Sequence, residues 1–225
     1  MLPFRKIKRI GLNRAIQHAI NRLVDRWFDI RYGLDTERGV ELGDLDVKSD
    51  NKCRGEPYQP TRVRQFRKLM NALDFPSDSV FVDLGSGKGR ALLLASQYGF
   101  KRVVGVEFSP ELCQIARRNW SAYRKKSGID VDVQIVEADV VDYEIEDDEN
   151  VFFLNNPFDG VVLDKVLKNI ERSIEKKHRQ VWLIYNHPRH RDIFERKRLF
   201  VNSVKFSHNF LVFVNTGEPF PNELR

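Results

Sequence analysis

The stretch VFVDLGSGKGR (80–90) ends an apolar run with Asp83 and follows it with three alternating glycines, Gly85, Gly87 and Gly89. Glycines so spaced let a backbone turn tightly and approach a ligand closely. Two phosphate-binding patterns come near this spacing, and neither matches. A dinucleotide loop needs G-x-G-x-x-G/A, but the sixth position from Gly85 is Arg90. A P-loop needs G-x-x-x-x-G-K-[ST], but Val82 and Gly89 stand where its first glycine and its hydroxyl belong. Asp83 would also face a pyrophosphate with like charge. The pattern that fits is D-x-G-x-G-x-G, in which a carboxylate beside the loop suits a ligand bringing an ammonium and a sulfonium.

Two more acids sit at comparable places. Glu107 ends the next apolar run, where a carboxylate accepts hydrogen bonds from two ribose hydroxyls. Asp139 follows the third run, where a carboxylate receives an adenine amino group. Each acid alone reads as an ordinary loop acid or cap. Their order, with the glycines, argues for one site. The fourth run ends in Asn155-Asn156-Pro157-Phe158. Amide oxygens there can take the hydrogens of an amine, and an aromatic ring can pack on a flat or cationic acceptor. Group transfer to an amine held this way relies mostly on positioning, so no strong base is obligatory. The same four residues also read as a helix entry, with Asn156 capping and Pro157 in the first turn.

The elements that must position these groups follow from periodicity. Short apolar strands are predicted at 79–84, 102–107, 131–138, 150–155 and 180–186. Helices are predicted from Thr61 to about 73, over 89–98, from Ser109-Pro110 to about 124, over 160–176, and briefly after 186. Two late strands, 199–206 and 209–215, lie close enough to form a hairpin. This alternation predicts an α/β fold with a doubly wound, mainly parallel seven-strand sheet and an antiparallel strand at one edge. Ligands in such sheets bind at the carboxyl ends of the strands.

Three segments are read: a basic amphipathic arm (1–32), a connector (33–56) and a main domain (57–225). The chain has 225 residues with 38 Lys plus Arg against 32 Asp plus Glu, a net charge of +6. The arm holds eight of the basic residues and two acids, Asp25 and Asp29, so it carries the whole excess. Within it, Leu12, Ile16, Ile20, Leu23, Trp27 and Ile30 form one apolar helical stripe. Packing of that stripe on the main domain is the expectation. Contact with an anionic membrane surface or with nucleic acid phosphates are the other readings.

No apolar run has the length of a membrane helix, and the basic start leads into no unbroken apolar stretch of the signal-peptide kind. Two cysteines, Cys53 and Cys113, are too few for a disulfide scaffold and fit a cytoplasmic protein. His187 and His190 lack an acid or cysteine nearby to complete a metal shell, so no metal is expected. The acids of 142–149 read as a solvated turn, and Cys113 as a buried apolar residue.

VFVDLGSGKGR, VVGVEFSPELCQIARRN, VEADVVDY and FFLNNPF resemble the successive motifs of the class I, seven-strand (Rossmann-like) S-adenosylmethionine-dependent methyltransferases, over about residues 57–215. The resemblance implies S-adenosylmethionine as cofactor. It implies that Asp83, Gly85, Ser86, Gly87 and Gly89 hold its methionine end, Glu107 its ribose and Asp139 its adenine, with Phe108 packing on the adenine plane. GEPYQPT (55–61) resembles the segment that closes over the cofactor in several protein methyltransferases, which places Tyr58 and Thr61 near the methionine part. Asn155, Asn156, Pro157 and Phe158 resemble the Asn/Asp-Pro-Pro-aromatic motif of adenine-N6 and glutamine methyltransferases, with Asn156 in place of the first proline. FFLNNPF is also similar to the Asn-Asn motif of the seven-strand histone-lysine methyltransferases, although that group's long N-terminal helical region has no counterpart here. The implied function is N-methylation of an amine, on a protein side chain or a small molecule. A non-catalytic cofactor-binding module and a nucleic-acid methyltransferase are the alternatives, and the oligomeric state is open.

Overall fold

The computed structural model describes residues 12–47, 49–197, 199–207, 209–217 and 220. Seven strands form one sheet: β1 (Val80–Leu84), β2 (Arg102–Glu107), β3 (Asp132–Glu137), β4 (Glu149–Leu154), β5 (Trp182–Asn186), β6 (Asn202–Phe206) and β7 (Phe210–Val214). Their order is β3-β2-β1-β4-β5-β7-β6. The first five pair in parallel, whereas β7 pairs antiparallel with both β5 and β6. The antiparallel strand is therefore second from the edge rather than at it. The hairpin folds back so that β7 takes the place beside β5. Edge strand β6 then runs in the same direction as β5.

The helices are α1 (Leu12–Tyr32), α2 (Val63–Met70), α3 (Arg90–Ala95), α4 (Pro110–Ser127), α5 (Gly160–Lys176) and α6 (Arg191–Arg196). Side chains of a strand alternate between faces. In β1, Phe81 joins one core with α2, α3, Tyr123 of α4 and Phe28 of α1, while Val80, Val82 and Leu84 join a second core with α5 and α6. Helix α4 begins at the expected cap, where Ser109 accepts from the Leu112 N–H and Pro110 takes the first turn.

Helix α1 corrects the sequence reading. It does pack on the domain, but the apolar stripe is not the face that packs. Ile16, Leu23, Trp27 and Ile30 are 46, 68, 55 and 68 % exposed. The buried side carries Asp25, Phe28 and Asp29. Asp25 accepts from Arg62 Nη1 at 2.7 Å and from the Val63 N–H at 3.0 Å, so an α1 side chain caps α2. Phe28 packs against Tyr32 and Tyr123. Complementary charge and aromatic contacts dock this helix, and a hydrophobicity count cannot register the charges.

The acidic turn is also less solvated than expected. Glu149 is fully buried and accepts from the Tyr143 hydroxyl at 2.5 Å, and Arg102 pairs with Asp148 at 2.8 Å.

Candidate active site

The strand order reverses between β1 and β4, and a cleft of about 820 Å³ opens at their carboxyl ends. Thirteen of the fourteen site residues read from the sequence line it: Tyr58, Thr61, Asp83, Gly85, Ser86, Gly87, Glu107, Phe108, Asp139, Asn155, Asn156, Pro157 and Phe158. Gly89 does not. It sits at the start of α3 with φ +82°, and a Cβ there would lie 3.2 Å from the Ala116 Cβ, so it serves helix packing behind the loop.

Close backbone approach fixes the other two glycines of the loop. A Cβ on Gly85 would lie 2.4 Å from the Pro157 Cβ, and one on Gly87 would lie 2.2 Å from the Tyr58 ring. Both have positive φ, which glycine adopts without cost. Glu107 clamps the loop from β2. Its Oε2 accepts from the Gly87 N–H at 2.8 Å and its Oε1 from the Ser109 N–H at 3.0 Å.

The floor of the cleft is acidic and buried. Asp83 is 3 % exposed and its Oδ1 has no hydrogen-bond partner in the protein. Burial, with the nearby Glu107 carboxylate, holds the Asp83 carboxyl well above its ordinary range. Burial raises Glu107 too, against the pull of its backbone N–H donors. Two carboxylates so placed favour a cationic ligand group. Ser86 Oγ and Arg90 Nη1, both on the cleft, are likewise buried without a hydrogen-bond partner. A buried polar group without a partner is costly. An α-amino acid moiety offers an ammonium for Asp83 and a carboxylate for Arg90, so the residues present fit the methionine end of S-adenosylmethionine.

Asp139 lies at the other end of the cleft. Its Oδ2 accepts from Asn51 Nδ2 at 2.9 Å and from the Ser49 hydroxyl, and its Oδ1 from the Val141 N–H at 2.9 Å. Burial works to raise this carboxyl, but the hydrogen bonds outweigh it and hold it below the ordinary range. Phe108 packs beside Gly55, Leu42 and Tyr58. The connector thus forms a wall of the cleft through Leu42, Asn51 and Gly55.

The Asn155-Asn156 pair closes the opposite end. Asn155 donates to the Gln59 carbonyl at 2.8 Å and accepts from Asn186 Nδ2 at 2.7 Å. Asn156 accepts from the Tyr185 hydroxyl at 3.0 Å and holds φ +47°, a left-handed conformation that asparagine tolerates better than most residues. The helix-entry reading of NNPF does not hold. Asp159 is the cap of α5, accepting from the Val161 and Val162 N–H groups, which leaves both asparagines free of that duty. The Glu56 N–H donates to the Pro157 carbonyl at 2.9 Å, and Gly55 bridges Phe158, so 55–58 is stitched to the tetrapeptide. An open groove of about 1510 Å³, lined by His18, Arg62, His187 and Arg189 among others, meets the cleft at these two asparagines.

Sequence reasoning missed Arg90, Asn186 and Tyr185. Arg90 is 1 % exposed. It donates from Nε to Thr36 Oγ1 at 2.5 Å and from Nη2 to Asp29 Oδ1 at 3.0 Å. Its clue was a cation directly after the glycine loop; that of the β5 pair was their place at a strand's carboxyl end. Cys113 is buried as read, and burial pushes its thiol up to about 12.

Sheet order, glycine loop and cleft together define the class I S-adenosylmethionine-dependent methyltransferase fold. A solved mitomycin 7-O-methyltransferase shares it, with a TM-score of 0.51 and 16 % identity over 68 % of this chain and 53 % of that one. The model of the histone methylation protein DOT1 family matches residues 47–184, more than half of the chain, and the chain belongs to that family. An H3 lysine-79 specific histone-lysine N-methyltransferase of Cryptococcus neoformans is 34 % identical over 85 residues, covering 35 % of this chain and 13 % of that protein. A protein-lysine N-methyltransferase of Saccharolobus islandicus is 29 % identical over 92 residues, covering 40 % of this chain and 55 % of that protein. The matched part is thus about an eighth of the first relative's length and little over half of the second's.

Proposed function

We propose that this protein transfers a methyl group from S-adenosylmethionine to the side-chain amine of a lysine in a protein. The observation that carries this is the junction of the two cavities at Asn155 and Asn156. A buried cleft floored by two acids ends there, and a wide polar groove begins. Family membership and the names of the lysine methyltransferase relatives support the choice of acceptor.

In this reading Asp83 holds the cofactor's ammonium, Arg90 its carboxylate and Glu107 its ribose hydroxyls. Phe108 packs on the adenine, and Asp139 with its Ser49 and Asn51 partners closes that end. The bound cofactor supplies an electrophilic methyl on a sulfonium. That methyl would go to the amine lone pair, with the C–S electron pair left on the departing sulfur. The amine must arrive neutral, and the proton left on the product nitrogen passes to water. Asn155 and Asn156 orient the amine through their amide oxygens, each of which keeps a lone pair beyond its Asn186 or Tyr185 partner. Positioning of this kind supplies much of the barrier reduction in a two-body transfer.

The test is transfer of tritiated methyl from the cofactor in cell extract. Label that survives nuclease, is released by protease and runs as methyl-lysine on amino-acid analysis is the expected result. Label in nucleic acid or in small molecules would replace lysine with another acceptor. Cofactor binding by calorimetry with no transfer in any fraction would make the protein a binding module.

A further inference from the structure

Helix α1 presents an apolar stripe to solvent: Ile16, Leu23, Trp27 and Ile30, each about half exposed or more. At about 100° per residue these four share one side of the helix, and Asp25, Phe28 and Asp29 lie on roughly the opposite side. Docking on the domain therefore leaves the stripe uncovered by α1's own partners. Large apolar side chains aligned this way are more than scattered surface residues.

The charges around the stripe are selected by the same docking. Arg22, Arg26 and Arg31 are exposed on α1, with Arg26 on one flank of the stripe and Arg31 on the other. Arg31 lies over the Trp27 ring at 5.1 Å. Both acids of the helix are withdrawn, Asp25 to Arg62 and Asp29 to Arg90. Among the described residues of α1, every exposed charged side chain is thus basic. The preceding sequence adds Arg5, Lys6, Lys8 and Arg9 with no acid.

We propose that this face of α1 docks on an anionic lipid surface, with the apolar stripe in the acyl–headgroup boundary and the arginines against the headgroups. Apolar residues with tryptophan, bordered by arginine, are the physical signature of an interfacial helix. A second copy of the chain fits less well. Stripe-to-stripe pairing would bring the arginine flanks together with no acid on this face of the helix to compensate. Nucleic acid offers phosphates to the arginines but nothing apolar for four large side chains. The inference stands apart from the methyl-transfer reading, since none of these residues except Arg22 borders the cavities.

Flotation of the full chain with vesicles tests it. Vesicles of phosphatidylcholine mixed with phosphatidylglycerol are expected to carry the protein up the gradient, and pure phosphatidylcholine vesicles to bind it at least ~10-fold less. Leu23→Ser with Ile30→Ser should weaken binding to the mixed vesicles ~10-fold or more, with the melting temperature preserved because both side chains are exposed. Arg26→Glu should weaken it by a similar factor and flatten its salt dependence. The proposal is overturned if wild type stays at the bottom of the gradient with mixed vesicles at low salt. It is also overturned if the double serine variant floats like wild type, if the variant's only loss is of a dimer seen in sedimentation, or if duplex DNA or RNA competes the protein off the vesicles.

Discussion

Arg90 and Asp29 meet at 3.0 Å with both side chains buried, the first opening the helix after the glycine loop and the second lying within α1. Thr36 completes the knot. It donates its hydroxyl to Asp29 at 2.6 Å and accepts from Arg90 Nε, while its carbonyl accepts from the Tyr58 hydroxyl at 2.9 Å. Tyr58 in turn lies against Gly87. The basic arm is therefore anchored to the cofactor loop through four side chains.

Removing one member of this knot should be felt in both stability and binding. Asp29→Ala leaves the buried Arg90 guanidinium without its close carboxylate, with the Thr36 hydroxyl and a long contact to Asp25 at 3.7 Å remaining. Loss of one partner of a buried ion pair costs about 3–5 kcal/mol. Thermal and urea unfolding should show a loss of that size. Calorimetry should show weaker S-adenosylmethionine binding, because Arg90 then loses its fixed position.

Gly87→Arg is expected to abolish cofactor binding. Its Cβ alone would lie 2.2 Å from the Tyr58 ring, and its φ of +54° is unfavourable for any larger residue. Calorimetry with S-adenosylmethionine reads the result, and a variant that binds like wild type would contradict the cleft as the cofactor site.

Asn155→Ala separates binding from chemistry. The side chain lies at the junction with the groove and is not needed to hold the loop. Turnover on the labelled acceptor should fall about 100-fold, by loss of positioning, while cofactor affinity changes by less than about 3-fold. Equal losses in both would assign Asn155 to cofactor binding.

Asp83 makes a prediction about pH. Burial and the Glu107 carboxylate keep its carboxyl well above the ordinary range in the folded protein. From the ordinary value upward through the raised one, the folded state therefore holds a proton that the unfolded chain has lost, and stability falls as pH rises through that window. An ammonium bound beside Asp83 favours the carboxylate, so binding expels the proton and cofactor affinity rises with pH over the same window. Calorimetry in buffers of different ionisation heat should detect that proton. Asp83→Asn should weaken binding, flatten this pH dependence and reduce the fall in unliganded stability, with the raised Glu107 carboxyl supplying part of what remains.

Much of the fold was legible because most strands are short runs rich in apolar residues, ended by glycine, an acid or asparagine. Helix α5 was read at about its observed bounds, and α4 from its Ser109-Pro110 start. The place of β7 was not legible, since two strands joined by a tight turn fit equally well with either one innermost. The cofactor wall was read from its acids and glycines, which carry their chemistry in their identity. Arg90, Asn186 and Tyr185 were missed because their roles depend on partners far along the chain: Asp29, Asn155 and Asn156. The docking face of α1 was misread for the same reason. Its buried acids gain their stability from Arg62 and Arg90, and no local window of sequence contains both partners.

The capping of α2 by Asp25 has a consequence for biosynthesis. At eight residues, α2 is too short to persist alone in water. Its first N–H awaits a carboxylate made some forty residues earlier. Helix α1 leaves the ribosome first, yet its anchors Arg62 and Arg90 follow much later. During that interval Asp25 and Asp29 lack the partners that later bury them. Helix α1 thus settles only after later segments are made, and the groove gains the α1 part of its wall at that point.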